Sequence, residues 1–276
     1  MDAYVAGINV YPIKSCGGTS VGRAYLDRSG FQNDRKWMVV DSDGNFLSQR
    51  DLPRMALIQP RLASLSGCPS YQAGQLIINA PGMPEVRSSF LVDRHVLRAR
   101  EARVRDDTCL VFDQGDQASA WFSEFMGTPC KLVRIAENGR MHRRSSTSEE
   151  TFALNGQDGG PVTIIGQASL DDLNNRLAVP VPMCQFRANI VVAGIDAYAE
   201  DGWGHLRIGI AELFARKPCS RCTMITINQK TAECGEEPWR TLATYRLTPE
   251  GEIEFGVQFY STNGFISVGD SVEIFA

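Results

Sequence analysis

The sequence predicts a mainly β protein, a β-dominated α+β chain with an N-terminal β-barrel-like domain followed by a second β-rich domain. Three observations predict it. Short runs rich in β-branched and aromatic residues recur along the chain, and turn residues separate them. Strands of that length and spacing build sheets or barrels. Few stretches carry a helical period, and 276 residues suffice for one large domain or two smaller ones, each with its own core.

In chain order, "AYVAGINVYPI" alternates Tyr4, Ala6, Ile8 and Val10 on one face and stops at Pro12. "KWMVVDSDGNFLSQR" reads as two β-rich runs joined by Asp43-Gly44, a hairpin turn dipeptide. Further strands are expected around 61–65, 76–79 and 109–112. "GDQASAWFSEFMG" reads as a helix with Asp116 as N-cap, Gly127 past its end and Trp121, Phe122 and Phe125 on one face. The stretch 137–150 is the expected boundary, dividing the chain into domains 1–135 and 136–276. There Arg140, His142, Arg143 and Arg144 run into Glu149 and Glu150, which reads as a solvated, mobile linker rather than a phosphate site.

The second half opens with the buried strand "PVTII". A helix then begins at Ser169 with Asp172 at the capping-box position. Leu170, Leu173 and Leu177 form its inward stripe and Pro180 stops it. "NIVVAG", "MITIN", "FGVQF" and "SVEIF" are expected strands.

Composition excludes several classes. With 43% hydrophobic and 22% charged residues the chain is ordinary for a globular protein. A formal net charge of -4 leaves no broad footprint for nucleic acid. The N-terminus has no basic region before an apolar one, so no signal peptide is expected. No apolar run approaches the ~18 residues of a bilayer span. Eight scattered cysteines without a secretory signal are expected to be reduced thiols in the cytoplasm.

The chemistry centres on Cys219-Ser220-Arg221-Cys222. A redox C-x-x-C normally opens a helix in a βαβ unit, whereas here it leads into "TMITI", read as a strand. Zinc needs two further soft ligands, and only Cys234 is near in sequence. Simple packing at a strand start is the third reading, and the preferred one for Cys219. Cys222 differs because Arg221 precedes it, and a guanidinium beside a thiol favours the thiolate. Elsewhere Lys14 and Ser15 follow the first strand, before two glycines that let backbone approach a ligand. Arg35 starts the strand of "DRKWMVV", and Arg187 and Asn189 start that of "FRANIVV". Together these would form an anion site of cationic forks and amides.

"YPIKSCGG", "DRKWMVVDSDGNFLSQR", "DGGPVTIIGQASLDDLN", "FRANIVV", "AYAEDGW" and "CSRCTMITINQKT", in that order, resemble the MOSC family, with "FGVQF" and "ISVGDSVEIF" closing the chain. The first half resembles the β-barrel domain that accompanies MOSC, and the second the MOSC β-barrel itself. The whole is similar to the mitochondrial amidoxime-reducing component and its bacterial counterparts. The resemblance implies a molybdenum cofactor, a pterin dithiolene ending in phosphate, in the cleft between the two halves. It implies Cys222 as metal ligand and Lys14, Ser15, Arg35, Arg187, Asn189, Ser220 and Arg221 as cofactor contacts. The segment near the metal falls on Asp158, Gly159 and Gly160. Relatives can carry hydroxyl residues at those glycines, so backbone amides would substitute. Asp158 is the expected proton relay, and an aromatic contact of some relatives falls on Gln258. Cys16 is taken as structural.

The implied activity is reduction of N-oxygenated compounds such as amidoximes, hydroxylamines and N-hydroxylated bases. The alternative is a non-catalytic cofactor carrier or a sulfur-transfer module using Cys222. No iron–sulfur or haem cysteine spacing occurs, and "GWGHLR" has Arg207 where a third dinucleotide-binding glycine would stand. A separate electron-transfer protein with its reductase is therefore expected, with no nucleic-acid or membrane partner.

Overall fold

The computed structural model describes residues 2–64, 74–90, 99–137, 140–143 and 151–275. The first half contains β1 (Tyr4–Val10), β2 (Thr19–Val21), β3 (Arg23–Asp27), β4 (Gly30–Phe31), β5 (Trp37–Val40), β6 (Gln59–Ser64) and β7 (Gly74–Asn79). It continues through β8 (Val86–Ser89), β9 (Ala99–Val104), β10 (Asp107–Asp113), helix α1 (Asp116–Met126) and β11 (Lys131–Ile135). The second half contains β12 (Arg140–Arg143), β13 (Thr151–Leu154), β14 (Val162–Gly166), α2 (Gln167–Arg176), β15 (Ile190–Ala193) and β16 (His205–Ile208). It ends with β17 (Ala211–Ser220), α3 (Trp239–Ala243), β18 (Glu254–Ser261), β19 (Gly264–Ser267) and β20 (Val272–Phe275). No helix among the described residues is long and apolar enough to cross a membrane.

The predicted mainly β class is what forms. The largest sheet has eight strands in the order β2-β1-β15-β14-β18-β17-β16-β20. Its ladder is not closed, although Tyr4 and Ser271 make a single bridge between β1 and the residue before β20. The halves interleave: β1 pairs antiparallel with β15, and β3 pairs with β19. This interleaving carries the turn after β1, and with it Lys14 and Ser15, against the second half. The sheet buries Val5, Ile8, Val162, Ile164, Val257 and Phe259 in one core. A second core under α1 gathers Ile13, Trp37, Trp121, Phe122 and Phe125.

Several local expectations are corrected. In β1 a bulge between Val5 and Gly7 shifts the register, because an extra residue exchanges the faces beyond it. Val5, Ile8 and Val10 are consequently buried while Tyr4 is 42% exposed. Asp116 is the first residue of α1, not its cap; Gly115 precedes the helix, and no side chain caps it. Asp116 still favours the positive end of the helix dipole. Helix α2 likewise starts at Gln167 after Gly166. Ser169 lies inside it and donates its hydroxyl to Glu200, whose carboxylate also accepts the Gly166 N–H at 2.9 Å. A buried carboxylate distant in sequence thus takes the capping role, and Asp172 instead pairs with Arg176 and the Tyr198 hydroxyl.

"MITIN" is a 3-10 turn over Thr223–Thr226, not a strand. Its Ile225 turns into the core around α2, and past the turn a single bridge, Ile227 to Cys234, is formed among the described residues. Arg140 is not a solvated linker residue. It is buried in β12 and donates to Asn155 O at 2.9 Å, to Asp107 at 2.8 Å and to Gln157 O. Arg144, Glu149, Glu150 and the end of the strand expected near 61–65 lie outside the described residues, and nothing is described of the side chains of His142 and Arg143. The Asp43-Gly44 turn forms as expected, with Gly44 at φ +83°, but beyond it pairing is limited to the Val40–Phe46 bridge.

Candidate functional site

A cleft lies where the turns of the first half meet the ends of β14, β15 and β17 and the middle of β18. All the site residues expected from sequence line it except Gly159: Lys14, Ser15, Arg35, Asp158, Gly160, Arg187, Asn189, Ser220, Arg221, Cys222 and Gln258. Three of the backbone positions are unusual for L-residues. Ser15, Arg35 and Arg187 have φ of 64°, 48° and 55°, the left-handed region that non-glycine residues occupy only when the surroundings over-determine it. The surroundings here are hydrogen bonds: Gln49 Nε2 donates to Ser15 O at 2.7 Å, and Arg35 Nη2 donates to Arg187 O at 3.1 Å.

The cations divide into committed and available groups. Arg221 is committed. Its Nε donates to Phe255 O at 2.8 Å, Nη1 to Phe186 O at 2.7 Å, and Nη2 again to Phe255 O. The guanidinium therefore fastens β18 to the turn before β15, and its donors are directed at carbonyls. Arg35 is largely committed too, pairing with buried Asp34 and donating to Asn189 Oδ1 at 3.0 Å. The Asn189 amide is likewise spent within the protein, accepting from Thr163 N and donating to Asn9 O. Arg187 is the available one. Its Nη1 donates to Cys16 O, but its buried Nη2 has no partner among the described residues. Arg35 and Arg187 both lie over the Tyr11 ring, 4.5 and 4.3 Å from its centre, a contact favourable to each guanidinium. Burial, with Arg35 close by, brings the Arg187 pKa down to about 10.

At the other side Lys14 donates to Asp158 Oδ1 at 2.6 Å and to Gly156 O at 2.7 Å. Burial lowers its pKa from 10.5 to about 8, with Asp158 opposing the shift. Arg105, from the β9–β10 turn, donates to the same Asp158 oxygen at 3.0 Å. Burial alone would raise the Asp158 pKa, but Lys14 and Arg105 outweigh it and hold the carboxyl well below the usual carboxylate range. An acceptor held ionised gives up no proton near neutrality, so the exchangeable proton of this pair sits on Lys14 Nζ.

Cys219 and Cys222 are both free thiols. Cys219 is buried and accepts a hydrogen bond from Gln258 Nε2 at 3.6 Å. Cys222 is half-buried where β17 gives way to the 3-10 turn, and it lines the cleft. Among the described residues no three His, Cys, Asp or Glu side chains cluster as a metal-binding group. The glycines after Lys14 serve internal packing, not a ligand: a Cβ on Gly18 would come 2.4 Å from the Tyr11 ring, and one on Gly17 2.7 Å from Gln59. Gly159 lies under Gln258, where a Cβ would come 2.4 Å from Oε1.

Sequence reasoning missed Arg105, Gln185 and Thr163, which also line the cleft. Arg105 sits in an ordinary polar turn, "RDD", that carries no motif. Gln185, which donates to Ile225 O at 2.7 Å, lies beside "FRAN" and could have been noticed by proximity alone.

Residues 2–129 match the family of the MOSC N-terminal beta barrel domain, and residues 152–273 match that of the MOSC domain. The chain is 34% identical over 289 residues to "Mitochondrial amidoxime reducing component 2" of Bos taurus, covering 97% of this chain and 82% of that protein. The Homo sapiens protein of the same name is 34% identical over 294 residues, with the same coverage of 97% and 82%. "Molybdenum cofactor sulfurase" of Oryza sativa subsp. japonica is 31% identical over 277 residues, covering 93% of this chain but 32% of that protein.

Proposed function

The chain belongs to the MOSC family, carrying its N-terminal β-barrel domain and its MOSC domain in that order, and on that premise we propose that it reduces small N-oxygenated compounds with a molybdenum cofactor held at Cys222. The observation that carries the reading is the buried Arg187 Nη2, without a partner among the described residues, in a cleft that Cys222 also lines. A buried guanidinium donor without a partner is costly. It fits an anionic group such as a phosphate or pterin oxygen. Arg35 and Lys14 add positive charge on either side, and Cys222 offers the soft sulfur that a molybdenum ion accepts.

When bound, that cofactor supplies two-electron oxygen-atom chemistry. In the overall reaction the N–O bond breaks, two electrons and two protons enter, and the deoxygenated nitrogen compound and water leave. The residues of this chain bind, orient and supply protons: Arg187 holds the anion, Arg35 braces Arg187 through its carbonyl, and the Lys14–Asp158 pair holds a proton on Nζ. The electrons come from a separate electron-transfer protein and its reductase.

The test is molybdenum analysis of protein made in a cofactor-competent host, followed by turnover of benzamidoxime with an artificial reductant. Stoichiometric metal with turnover is expected. The match to a cofactor sulfurase over 93% of this chain favours a second reading, a cofactor carrier or sulfur-transfer module using Cys222. Metal without turnover would select it, and absence of metal would overturn both cofactor-bound readings.

A further inference from the structure

Gln258 stands at the middle of the large sheet, opposite Thr163 of β14 and Lys217 of β17, and it lines the cleft. One end of that amide is used, because Nε2 donates to Cys219 Sγ at 3.6 Å. The other end, Oε1, is buried and has no partner among the described residues. An amide oxygen with two lone pairs is rarely left so when water is excluded.

The surroundings show why the oxygen lies there. A Cβ on Gly159 would come 2.4 Å from Oε1, and one on Gly160 would come 2.8 Å from Gln258 Cβ. The glycine pair leaves room for the carboxamide, so a polar group is presented at this wall even though neither glycine has one. A molecule in the cleft that Gln258 and Cys222 both line is placed to supply the donor that Oε1 lacks.

Resting on the reductase reading above, we infer that Gln258 Oε1 accepts a hydrogen bond from an N–H or O–H group of the substrate. It thereby selects amidoximes and N-hydroxylated bases over tertiary N-oxides, which carry no such donor. A pterin N–H could supply the same chemistry. The substrate is favoured because the other end of the carboxamide is anchored on Cys219, in the segment that leads to Cys222.

The experiment is isothermal titration of the oxidised, molybdenum-loaded protein, without reductant, using benzamidoxime and pyridine N-oxide. Wild type, Gln258→Met and Cys219→Ala are compared, with molybdenum per chain measured for each. Gln258→Met should lose about five- to tenfold in benzamidoxime affinity, the effect of one net hydrogen bond, and leave pyridine N-oxide affinity and molybdenum content as in wild type. Cys219→Ala, which removes only the Nε2 partner, should keep the preference. Unchanged benzamidoxime affinity, equal loss for both ligands, or no measurable benzamidoxime binding by wild type would overturn the inference. Loss of molybdenum from Gln258→Met would also overturn it, by assigning the donor to the pterin. A binding preference without turnover of either compound would refute the reductase reading and leave the role of Gln258 standing; turnover without the preference would do the reverse.

Discussion

Replacing Lys14 by Met should change how stability depends on pH more than it changes stability itself. Lys14 is 5% exposed, lies 4.9 Å from the Phe46 ring centre, and has a pKa of about 8 in the fold against 10.5 for an ordinary lysine. That lowering corresponds to about 3 kcal/mol held against the charged form. The sign follows from proton counts. Between pH 8 and 10.5 the unfolded chain keeps a proton that the folded chain has released, so the penalty is full below the folded pKa and fades as pH rises. For a single site of this kind, wild type should gain about 2 kcal/mol relative to Lys14→Met between about pH 7.5 and about pH 9.5. Urea unfolding of both proteins at several pH values measures the difference. Other titrating groups are common to both proteins and cancel. Parallel curves would refute the claim that the Lys14 ammonium is desolvated at this position.

Three further outcomes follow from the same geometry. Cys222→Ser should abolish benzamidoxime turnover and change the molybdenum spectrum, whereas Cys219→Ser should leave both largely intact; equal loss in the two variants would point back to a joint role for the cysteines. Arg187→Ala should lower molybdenum per chain at fixed expression by removing a charge-assisted contact of about 1.5–3 kcal/mol, with little effect on melting. Arg35→Ala should instead melt early, because it removes the cation that pairs with buried Asp34, a loss of about 3–5 kcal/mol; thermal scans showing the reverse order would refute the division into committed and available cations. Gly159→Ala should destabilise by about 1–3 kcal/mol through its contact with Gln258, and Gln258→Ala in the same chain should recover most of the loss, which a double-mutant cycle in denaturant would reveal.

Much of this is legible in the sequence alone. The Asp43-Gly44 turn, the apolar face of α1 and the strands "PVTII", "NIVVAG" and "FGVQF" follow from patterns within about ten residues of one another. Local rules failed where a distant group intervened. Ser169 fits a helix start by every neighbouring residue, yet Glu200 takes the cap from 31 positions away. "TMITI" has strand composition but, among the described residues, no partner strand to complete a ladder, and Ile225 is drawn into the core around α2 instead. The charge run at 140–144 reads as solvent-facing, but Arg140 finds three acceptors contributed by Asp107, Asn155 and Gln157.

What the sequence determined by itself was the chemical inventory of the site: a thiol at 222, cations at 14, 35 and 187, and a carboxylate at 158, each next to a strand end or turn. Residue type and strand-end placement are local properties, and a chain can display them without knowing its neighbours. Only the tertiary structure decided what each group does. Arg221 and Arg187 are the same side chain in similar motifs, but one reaches carbonyls 35 and 34 residues away while the other is left with a free donor. A buried hydrogen-bonding group is either satisfied or available according to which distant backbone the fold brings within about 3 Å of it, and that distance is set by the pairing of β1 with β15 and of β14 with β18.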